Sequence, residues 1–312
     1  MIRKGFIVLV TLVLSACFST QENSDAKVSN SLVEACDLAG FASSYAQFSN
    51  PSQWPEIQCT LQALQSVEQA EKVQWDYAQQ RSSQYPIIGY KVALGSANTQ
   101  QLFALNKPVV GLMFKQSLLP NGSTIKKSSA VNLAYEPDLL AVVKSAEINQ
   151  AKSIQDLAPH IDRLVAFLEV PDLLIKPGPS SGPAFIATNA AFRWGVMGDS
   201  IIARSDTAFL DSLKTMTVNT INMSADLDNA EETENKTLSS AKGSRVMGHP
   251  YSAILFLLDQ LHQRGVQLAA GDMISLGAYA SPQPIGDIRQ LAVEYIGIDG
   301  SQKLIVSAEF RP

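Results

Sequence analysis

Three carboxylates stand at positions where the neighbouring sequence makes a charge costly. Glu136 and Asp138 are two residues apart, directly before the apolar run 139–143. In an extended chain, residues i and i+2 face the same side, so these two like charges lie side by side. Glu169 lies inside the run 164–170, which predicts a buried strand. A buried carboxylate is usually paired, protonated or bound to a metal ion.

These carboxylates predict a site for a hard cation. No His or Cys lies near them in the sequence, and oxygen-only ligands suit Mg²⁺ or Mn²⁺, with water and substrate oxygens completing the shell. For Glu136 and Asp138 alone, an exposed strand end is the simpler interpretation. Lys91 lies in another apolar run, 87–94. It either extends its amine to the surface or points inward as a counter-charge or proton donor.

The elements that would position these residues indicate an α+β fold. Apolar, partly β-branched runs predict strands, and turn signals separate them at 120–122, 176–179 and 299–300. Residues 31–85 have helical periodicity, interrupted at 51–55, and 251–263 predicts a helix that ends before Gly265. The predicted strands are 87–94, 139–143, 164–170, 218–223, 273–276, 291–298 and 304–310. Strands and helices do not alternate strictly, which argues against a doubly wound sheet.

The first residues resemble a bacterial lipoprotein signal. A basic start precedes the uncharged run 6–14, which is shorter than the ~20 residues of a membrane-spanning helix. Leu14-Ser15-Ala16 then precedes Cys17, the expected site of lipidation. An ordinary signal peptide with an incidental Cys is the alternative. The expected domains are a signal peptide at 1–16, a lipidated tether at 17–31, a helical segment at 32–85 and a main domain at 86–312. The expected location is the cell envelope, on the periplasmic face of the outer membrane if the cell is Gram-negative, with the lipid as the only membrane contact.

Composition limits the remaining functions. A net charge of −5 argues against nucleic-acid binding, which needs a basic face. Cys36 and Cys59 would be exported together, so they form either a disulfide or two buried free thiols. The acidic stretch 226–236 lacks the central Gly of a calcium loop and predicts a solvated hairpin or loop.

At the acidic and apolar segments the chain resembles the 2-keto-4-pentenoate hydratase branch of the fumarylacetoacetate hydrolase superfamily. Glu136-Pro137-Asp138 resembles its Glu-x-Glu metal motif, and Glu169 occupies the strand of the third metal carboxylate. Gly89-Tyr90-Lys91 resembles a strand of that branch. Further matching segments are 66–74, 108–111 and 118–122 (resembling the loop after that strand), 167–172, 189–198, 248–250 and 270–277. Together they extend over about residues 60 to 310.

The resemblance implies a mixed β-roll with flanking helices, and a Mg²⁺ or Mn²⁺ ion on Glu136, Asp138 and Glu169. The branch acts on 2-oxo or 2-hydroxydienoic acids, so a small 2-oxo acid is the expected substrate, chelated through its carboxylate and 2-oxygen. Lys91 and Asp172 would then be catalytic, whereas Asn189 and Ser275 would contact substrate. Asp172, Asn189 and Ser275 also have structural interpretations, as a turn Asp, a hydrogen-bonded Asn and a satisfied strand Ser.

Several alternatives remain at this point. Asp138 is one methylene shorter than the Glu of the motif, and the branch is typically cytoplasmic. A decarboxylase of 2-oxo acids and a binding lipoprotein that has lost the chemistry are therefore open. Hydrolysis is disfavoured because His160, His249 and His262 match no hydrolase motif. Members of the superfamily often form homo-oligomers, but no apolar run indicates which surface would pair.

Overall fold

The computed structural model describes residues 38–223, 235–300 and 302–312. The predicted signal peptide and tether, Cys17, Cys36 and most of the acidic stretch 226–236 lie outside the described residues. The side chain of Cys59 is also outside them, so the predicted disulfide stays a prediction.

Helices lie at the start of the described chain and between its strands. They are Leu38–Ala46 (α1), Trp54–Gln58 (α2), Val67–Ser82 (α3), Ala97–Leu102 (α4), Ile154–Leu157 (α5), Gly182–Ala187 (α6), Thr207–Thr215 (α7) and Ser252–His262 (α8). Ser66 begins α3, because its side chain accepts a hydrogen bond from the amide of Gln69. In the described part of the chain, every helix is too short or too polar to cross a membrane.

The strands form two sheets. They are Ile87–Ala93 (β1), Val109–Phe114 (β2), Leu118–Pro120 (β3), Ser123–Lys126 (β4), Ala134–Val143 (β5), Ile161–Val170 (β6), Trp194–Ile202 (β7), Thr217–Asn222 (β8), Lys236–Lys242 (β9), Met273–Ser275 (β10), Gln283–Pro284 (β11), Gln290–Ile298 (β12) and Gln302–Arg311 (β13). The larger sheet has the order β2-β1-β10-β5-β6-β7-β3, with β11 added to β5. The smaller sheet has the order β4-β13-β12-β8-β9.

Both sheets are mixed. The pairs β1–β10, β3–β7 and β4–β13 are parallel, and the other neighbours are antiparallel. The sheets pack together where β13 lies against β6 and β7. The buried Tyr295 of β12 places its hydroxyl against the carbonyl oxygens of Asp138 and Phe167, the latter at 2.9 Å. This mixed arrangement with flanking helices confirms the α+β prediction.

Most apolar runs became the strands they predicted, and α8 ends before Gly265 as expected. Two segments expected to be loop are corrected. Leu118–Pro120, within 118–122, forms β3 and pairs parallel with β7. The segment at 108–111 enters β2, which pairs antiparallel with β1 and places Gly111 opposite Lys91. A Cβ at Gly111 would lie 2.7 Å from Cγ of Lys91. This strand therefore requires glycine at position 111, because any other side chain would clash with Lys91.

Candidate active site

The two glutamates face each other across neighbouring strands. In the antiparallel pair β5–β6, Glu136 lies directly opposite Glu169, and Asp138 lies opposite Phe167. Directly opposed residues have Cβ atoms about 4.5–5.5 Å apart and share one face of the sheet. The fold therefore brings together two carboxylates that are far apart in the sequence.

Lys91 is the counter-charge of this pair. Its Nζ forms an ion pair with Oε1 of Glu169 and donates a hydrogen bond to the carbonyl oxygen of Ala190 at 3.2 Å. The side chains of Lys91 and Glu169 are only 3% and 1% exposed. The ring of Phe192 has its centroid 5.9 Å from Nζ. Of the two interpretations of Lys91, the structure shows the inward one.

The electrostatics of the cluster favour added positive charge. Burial, and then the charge of Glu169, raises the pKa of Glu136 to about 8. Burial lowers the pKa of Lys91, but the carboxylates of Glu169, Glu136 and Asp138 together outweigh it, so this pKa is raised and the amine is protonated. With Glu136, Asp138 and Glu169 ionised and Lys91 protonated, the cluster carries a net charge of −2, which one divalent cation balances.

The carboxylate of Asp138 is bound by donors of the protein itself. Its Oδ1 accepts hydrogen bonds from the amides of Leu139 (2.5 Å), Leu276 (3.1 Å) and Gly277 (3.0 Å). Its Oδ2 accepts from the hydroxyl of Ser275 at 2.6 Å. Burial, and then Glu169, raises its pKa to about 7, against the opposing effect of these hydrogen bonds. Through these hydrogen bonds, Asp138 fixes the position of Leu276 and Gly277, which follow β10.

Two more predicted site residues have hydrogen-bonding roles inside the protein. The hydroxyl of Ser275 is used by Asp138, and the Ser275 side chain is fully buried. The amide of Asn189 accepts from the backbone N–H of Leu112 at 2.8 Å and donates to its carbonyl at 2.9 Å. Gln74 also donates to Asn189 at 3.3 Å. Neither Ser275 nor Asn189 lines the large cavity described below, so the structural interpretation fits both.

Asp172 is also used in hydrogen bonds inside the protein. Its carboxylate accepts from the amides of Val131 (3.1 Å) and Asn132 (2.7 Å), which orders the chain before β5. It lines a different, smaller cavity. The catalytic role expected of Asp172 gains no geometric support, and the turn interpretation fits its contacts.

His249 has a structural role. Its Nδ1 accepts from the amide of Tyr251 at 3.0 Å, so Nε2 carries the proton and donates to the carbonyl of Leu210 at 3.1 Å. Burial lowers its pKa, which keeps the ring neutral.

A cavity of about 360 Å³ opens beside the Lys91 cluster. Lys91, Glu136 and Glu169 line it, and most of the remaining wall is apolar. Its apolar walls include Leu94, Leu102, Phe103, Leu173, Ile175, Phe185 and Val246. A cavity of this size with a few converging charged groups has the character of a small-molecule site.

The donor set fits a hard divalent cation in part. Among the residues that the structure describes, no group of three His, Cys, Asp or Glu side chains is arranged to hold a metal ion. Glu136 and Glu169 meet at the cavity, whereas the oxygens of Asp138 are occupied by protein donors. Two carboxylates, with substrate and water oxygens, make a set that Mg²⁺ accepts. Asp138 as a third ligand stays a prediction.

Two cations at the cavity were not singled out from the sequence. Arg245 and Lys176 line its exposed part, and neither has an ion-pair partner in the described portion of the chain. Their sequence context is ordinary surface loop, so no local signal marks them. Only the fold shows that both reach the cavity that contains Lys91.

Comparisons with known proteins identify similar enzymes. No protein-family model matches the chain. It is 22% identical over 239 residues to 4-oxalocrotonate decarboxylase of Pseudomonas putida, covering 76% of this chain and 83% of that enzyme. It is 23% identical over 192 residues to 2-keto-4-pentenoate hydratase of Burkholderia vietnamiensis, covering 62% of this chain and 68% of that enzyme.

A solved structure shares the fold. The 4-oxalocrotonate decarboxylase from Pseudomonas putida G7, complexed with magnesium and adipate, superposes with a TM-score of 0.66 at 19% identity, over 91% of this chain and 98% of that one. The relatives are hydratases and decarboxylases of the fumarylacetoacetate hydrolase superfamily, as the sequence resemblance predicted.

Proposed function

We propose that this chain is a metal-dependent lyase that hydrates a 2-hydroxydienoic or 2-oxo acid. The observation that carries the proposal is the buried Lys91–Glu169 ion pair beside Glu136, in the wall of a largely apolar cavity of about 360 Å³. Buried charges that converge on a cavity are expensive to maintain and are typical of active sites. The similarity to a hydratase and a decarboxylase supports the same chemistry.

Glu136 and Glu169 would hold the cation. When bound there, Mg²⁺ or Mn²⁺ supplies a Lewis acid for the carboxylate and 2-oxygen of the substrate.

Lys91 would be the residue that transfers protons. Its ammonium is protonated and held by Glu169 and the carbonyl of Ala190, so it can donate to a substrate oxygen or to the carbon that gains a proton when the dienol becomes a ketone. The apolar wall keeps bulk water from these charges and strengthens their interaction with substrate. One water then adds across the distal double bond, giving a hydroxyl on one carbon and a hydrogen on the other.

Decarboxylation is the second candidate, and one observation favours it. Arg245 and Lys176 leave two unpaired positive charges at a cavity that has Lys91 in its wall. They suit a substrate with a second carboxylate, whose carbon–carbon bond breaks to release CO₂ while the electron pair enters the conjugated 2-oxo system. A hydratase substrate with an uncharged tail would leave both cations unused.

The test compares two substrates on the purified full chain with Mn²⁺. Hydration of a 2-hydroxydienoate is followed by loss of diene absorbance, and decarboxylation of a 2-oxo-enedioate by CO₂ release. An Arg245→Gln and Lys176→Gln double variant separates the two candidates. It should lose activity on the diacid at least ten-fold and keep it on the monoacid if the cations bind a distal carboxylate.

The Glu136→Gln variant tests the metal site itself. Glu136 is half-buried and Gln has nearly the same size, so the variant should fold, bind Mn²⁺ more weakly in calorimetric titration with oxalate, and lose turnover. Glu309→Gln, at an exposed position of β13, is the matched control. If a well-folded wild-type chain binds no Mn²⁺ with oxalate and acts on neither substrate, the lyase proposal fails, and a binding protein is the better interpretation.

We also propose that the chain is lipid-anchored through Cys17 in the cell envelope, on the strength of the Leu14-Ser15-Ala16-Cys17 sequence. Membrane fractions should contain a form whose mass shows cleavage before Cys17 and added acyl chains. Cys17→Ala should abolish both. A wild-type chain recovered with residues 1–16 still attached would contradict the anchor. Self-association stays an expectation from the resemblance.

A further inference from the structure

A second, small cavity lies between the N-terminal helices and the larger sheet. It has a volume of about 20 Å³, and it shares no lining residue with the large cavity. Tyr45 of α1 and Tyr77 of α3 line it on one side. Arg81, at the end of α3, and Arg193, just before β7, bring two guanidinium groups to it.

Both guanidinium groups are held by aromatic rings. Cζ of Arg81 lies 5.1 Å from the ring centroid of Tyr85 and 5.3 Å from that of Phe114. Cζ of Arg193 lies 5.3 Å from the ring centroid of Phe48 and 4.8 Å from that of Trp194. Such stacking fixes the position of a guanidinium but leaves its charge without a counter-ion.

The hydrogen bonds of these arginines go to neutral groups only. Arg81 donates to the carbonyl of Ala46 at 3.0 Å. Arg193 donates to the carbonyls of Phe48 and Ser129 at 3.3 and 3.2 Å. The buried Nε of each arginine has no acceptor in the described residues, and neither arginine has a described carboxylate within ion-pair distance.

The charge around the cavity does not balance. Asp172 is the acidic side chain among the lining residues, and it is already bound to two backbone amides. Tyr45 and Tyr77 remain neutral, because burial raises the pKa of both, that of Tyr77 to about 12. Two arginines against one aspartate leave a surplus of one positive charge. A half-buried surplus charge is costly unless a counter-ion accompanies it.

The size of the cavity limits what that counter-ion can be. Holding a water molecule takes roughly 10–15 Å³ on this measure of volume. The cavity of about 20 Å³ therefore has room for one particle of about the size of a water molecule or a halide ion.

We propose that this cavity is a binding site for one monovalent halide, chloride under cellular conditions, held by Arg81 and Arg193. The anion links α3 to the chain that enters β7, and it acts on α1 through the hydrogen bond of Arg81 to the carbonyl of Ala46. This site is independent of the lyase site, and its occupancy stabilises the packing of the N-terminal helices.

The first test measures thermal unfolding of the full chain in chloride, bromide and gluconate at constant ionic strength. Chloride and bromide should raise the melting temperature in a saturable way, by roughly 3 °C at ten times the dissociation constant, whereas gluconate should not. Hydrogen exchange in Leu38–Ala46 should slow with the same halide dependence. Crystals grown in bromide should show an anomalous peak between the two guanidinium groups.

Charge variants give the sharper test. Arg81→Gln should remove the halide dependence, whereas Arg81→Lys should retain part of it. Asp172→Asn should tighten bromide binding about ten-fold, because it removes the negative charge nearest the site. Arg204→Gln, a surface arginine paired with Asp206 and Asp299, is the control and should leave the halide dependence unchanged.

Equal melting temperatures in all three salts, or a bromide-grown crystal with only water in the cavity, would overturn the proposal. If Arg81→Gln unfolds, the Asp172→Asn titration still decides: no tightening of bromide binding contradicts the site. Because these readouts use no substrate, their failure is separate from failure of the lyase proposal.

Discussion

Lys91 and Glu169 depend on each other at the residue scale. Each is almost fully buried, and each is the other's ion-pair partner. The net stability that such a pair contributes is small, but removing one partner leaves a buried charge that costs about 3–5 kcal/mol. In the proposed mechanism, a change at this position alters stability as well as catalysis, so variants must be tested for both.

Replacing Lys91 by Met should lower turnover by about 10²–10⁴-fold, the usual contribution of a positioned proton donor. It should also lower the free energy of unfolding by about 3–5 kcal/mol, because Glu169 loses its partner. Steady-state rates and denaturant unfolding measure the two effects. Lys72→Met, at an exposed position of α3, should change neither. A Lys91→Met enzyme with wild-type turnover would remove Lys91 from the mechanism.

Asp138→Asn distinguishes a metal ligand from a residue that holds the cavity wall. An amide cannot accept all the hydrogen bonds that the carboxylate receives from Ser275, Leu276 and Gly277, so stability should fall by about 1–3 kcal/mol. If Asp138 only holds the wall of the cavity, the Mn²⁺ dissociation constant should stay within about three-fold of the wild-type value, measured under conditions in which both proteins are fully folded. A rise above ten-fold, as for Glu136→Gln, would show that Asp138 is a direct ligand.

At the scale of elements, a strained turn supports the lysine. Asn189, Ala190 and Ala191 have φ values of 58°, 51° and 62°, the left-handed region that non-glycine residues avoid. The side chain of Asn189 holds this turn to β2, and the turn places the carbonyl of Ala190 on Lys91. Strain maintained at an active site is a sign of pre-organisation.

Ala190→Gly should therefore stabilise the protein by up to about 1 kcal/mol, because glycine adopts this backbone without the left-handed penalty. Ala78→Gly makes the same chemical change at an equally buried position inside α3, where glycine should destabilise by about 1 kcal/mol. Denaturant unfolding compares the two. Equal destabilisation in both variants would show that the turn stores no strain.

The elements that the sequence predicted are those with continuous apolar runs, such as β1, β6 and β12. The strand β7 could not be predicted in the same way, because contacts from distant elements determine its residues. A Cβ at Gly195 would lie 2.0 Å from the ring of Phe167, and a Cβ at Gly198 would lie 2.2 Å from the carbonyl of Ile305. These glycines weaken the local strand signal but are required by packing.

The same distinction applies to the site. The three carboxylates and Lys91 could be identified from the cost of placing charge in apolar runs. The opposition of Glu136 and Glu169 depends on the register of β5 and β6, and the hydrogen bonds of Asp138 depend on the pairing of β5 with β10. Register between strands is not encoded in local spacing, so the two-carboxylate arrangement emerged only in the folded chain.

At the scale of the whole molecule, the acidic cluster makes stability depend on pH. The folded-state pKa of Glu136, about 8, and of Asp138, about 7, both lie above their unfolded values, so the folded chain binds protons more strongly. Stability from these groups is present at low pH and is lost as pH rises through about 4 to 8. His249 acts oppositely, since its lowered pKa reduces stability below about pH 6.5.

Mg²⁺ should cancel the loss of folding stability at high pH, because a divalent cation balances the negative charge that deprotonation of the carboxyl groups creates. The rise in melting temperature caused by Mg²⁺ should be larger at pH 8.5 than at pH 6.5, with chloride matched by KCl and the remaining ionic strength by potassium gluconate. In Glu136→Gln one titrating carboxylate is absent, so this difference should shrink, whereas Glu309→Gln should behave as wild type. His249 is present in all three proteins, and its contribution cancels in the comparison. A Mg²⁺ effect that is equal at both pH values would mean that the cation binds away from this cluster.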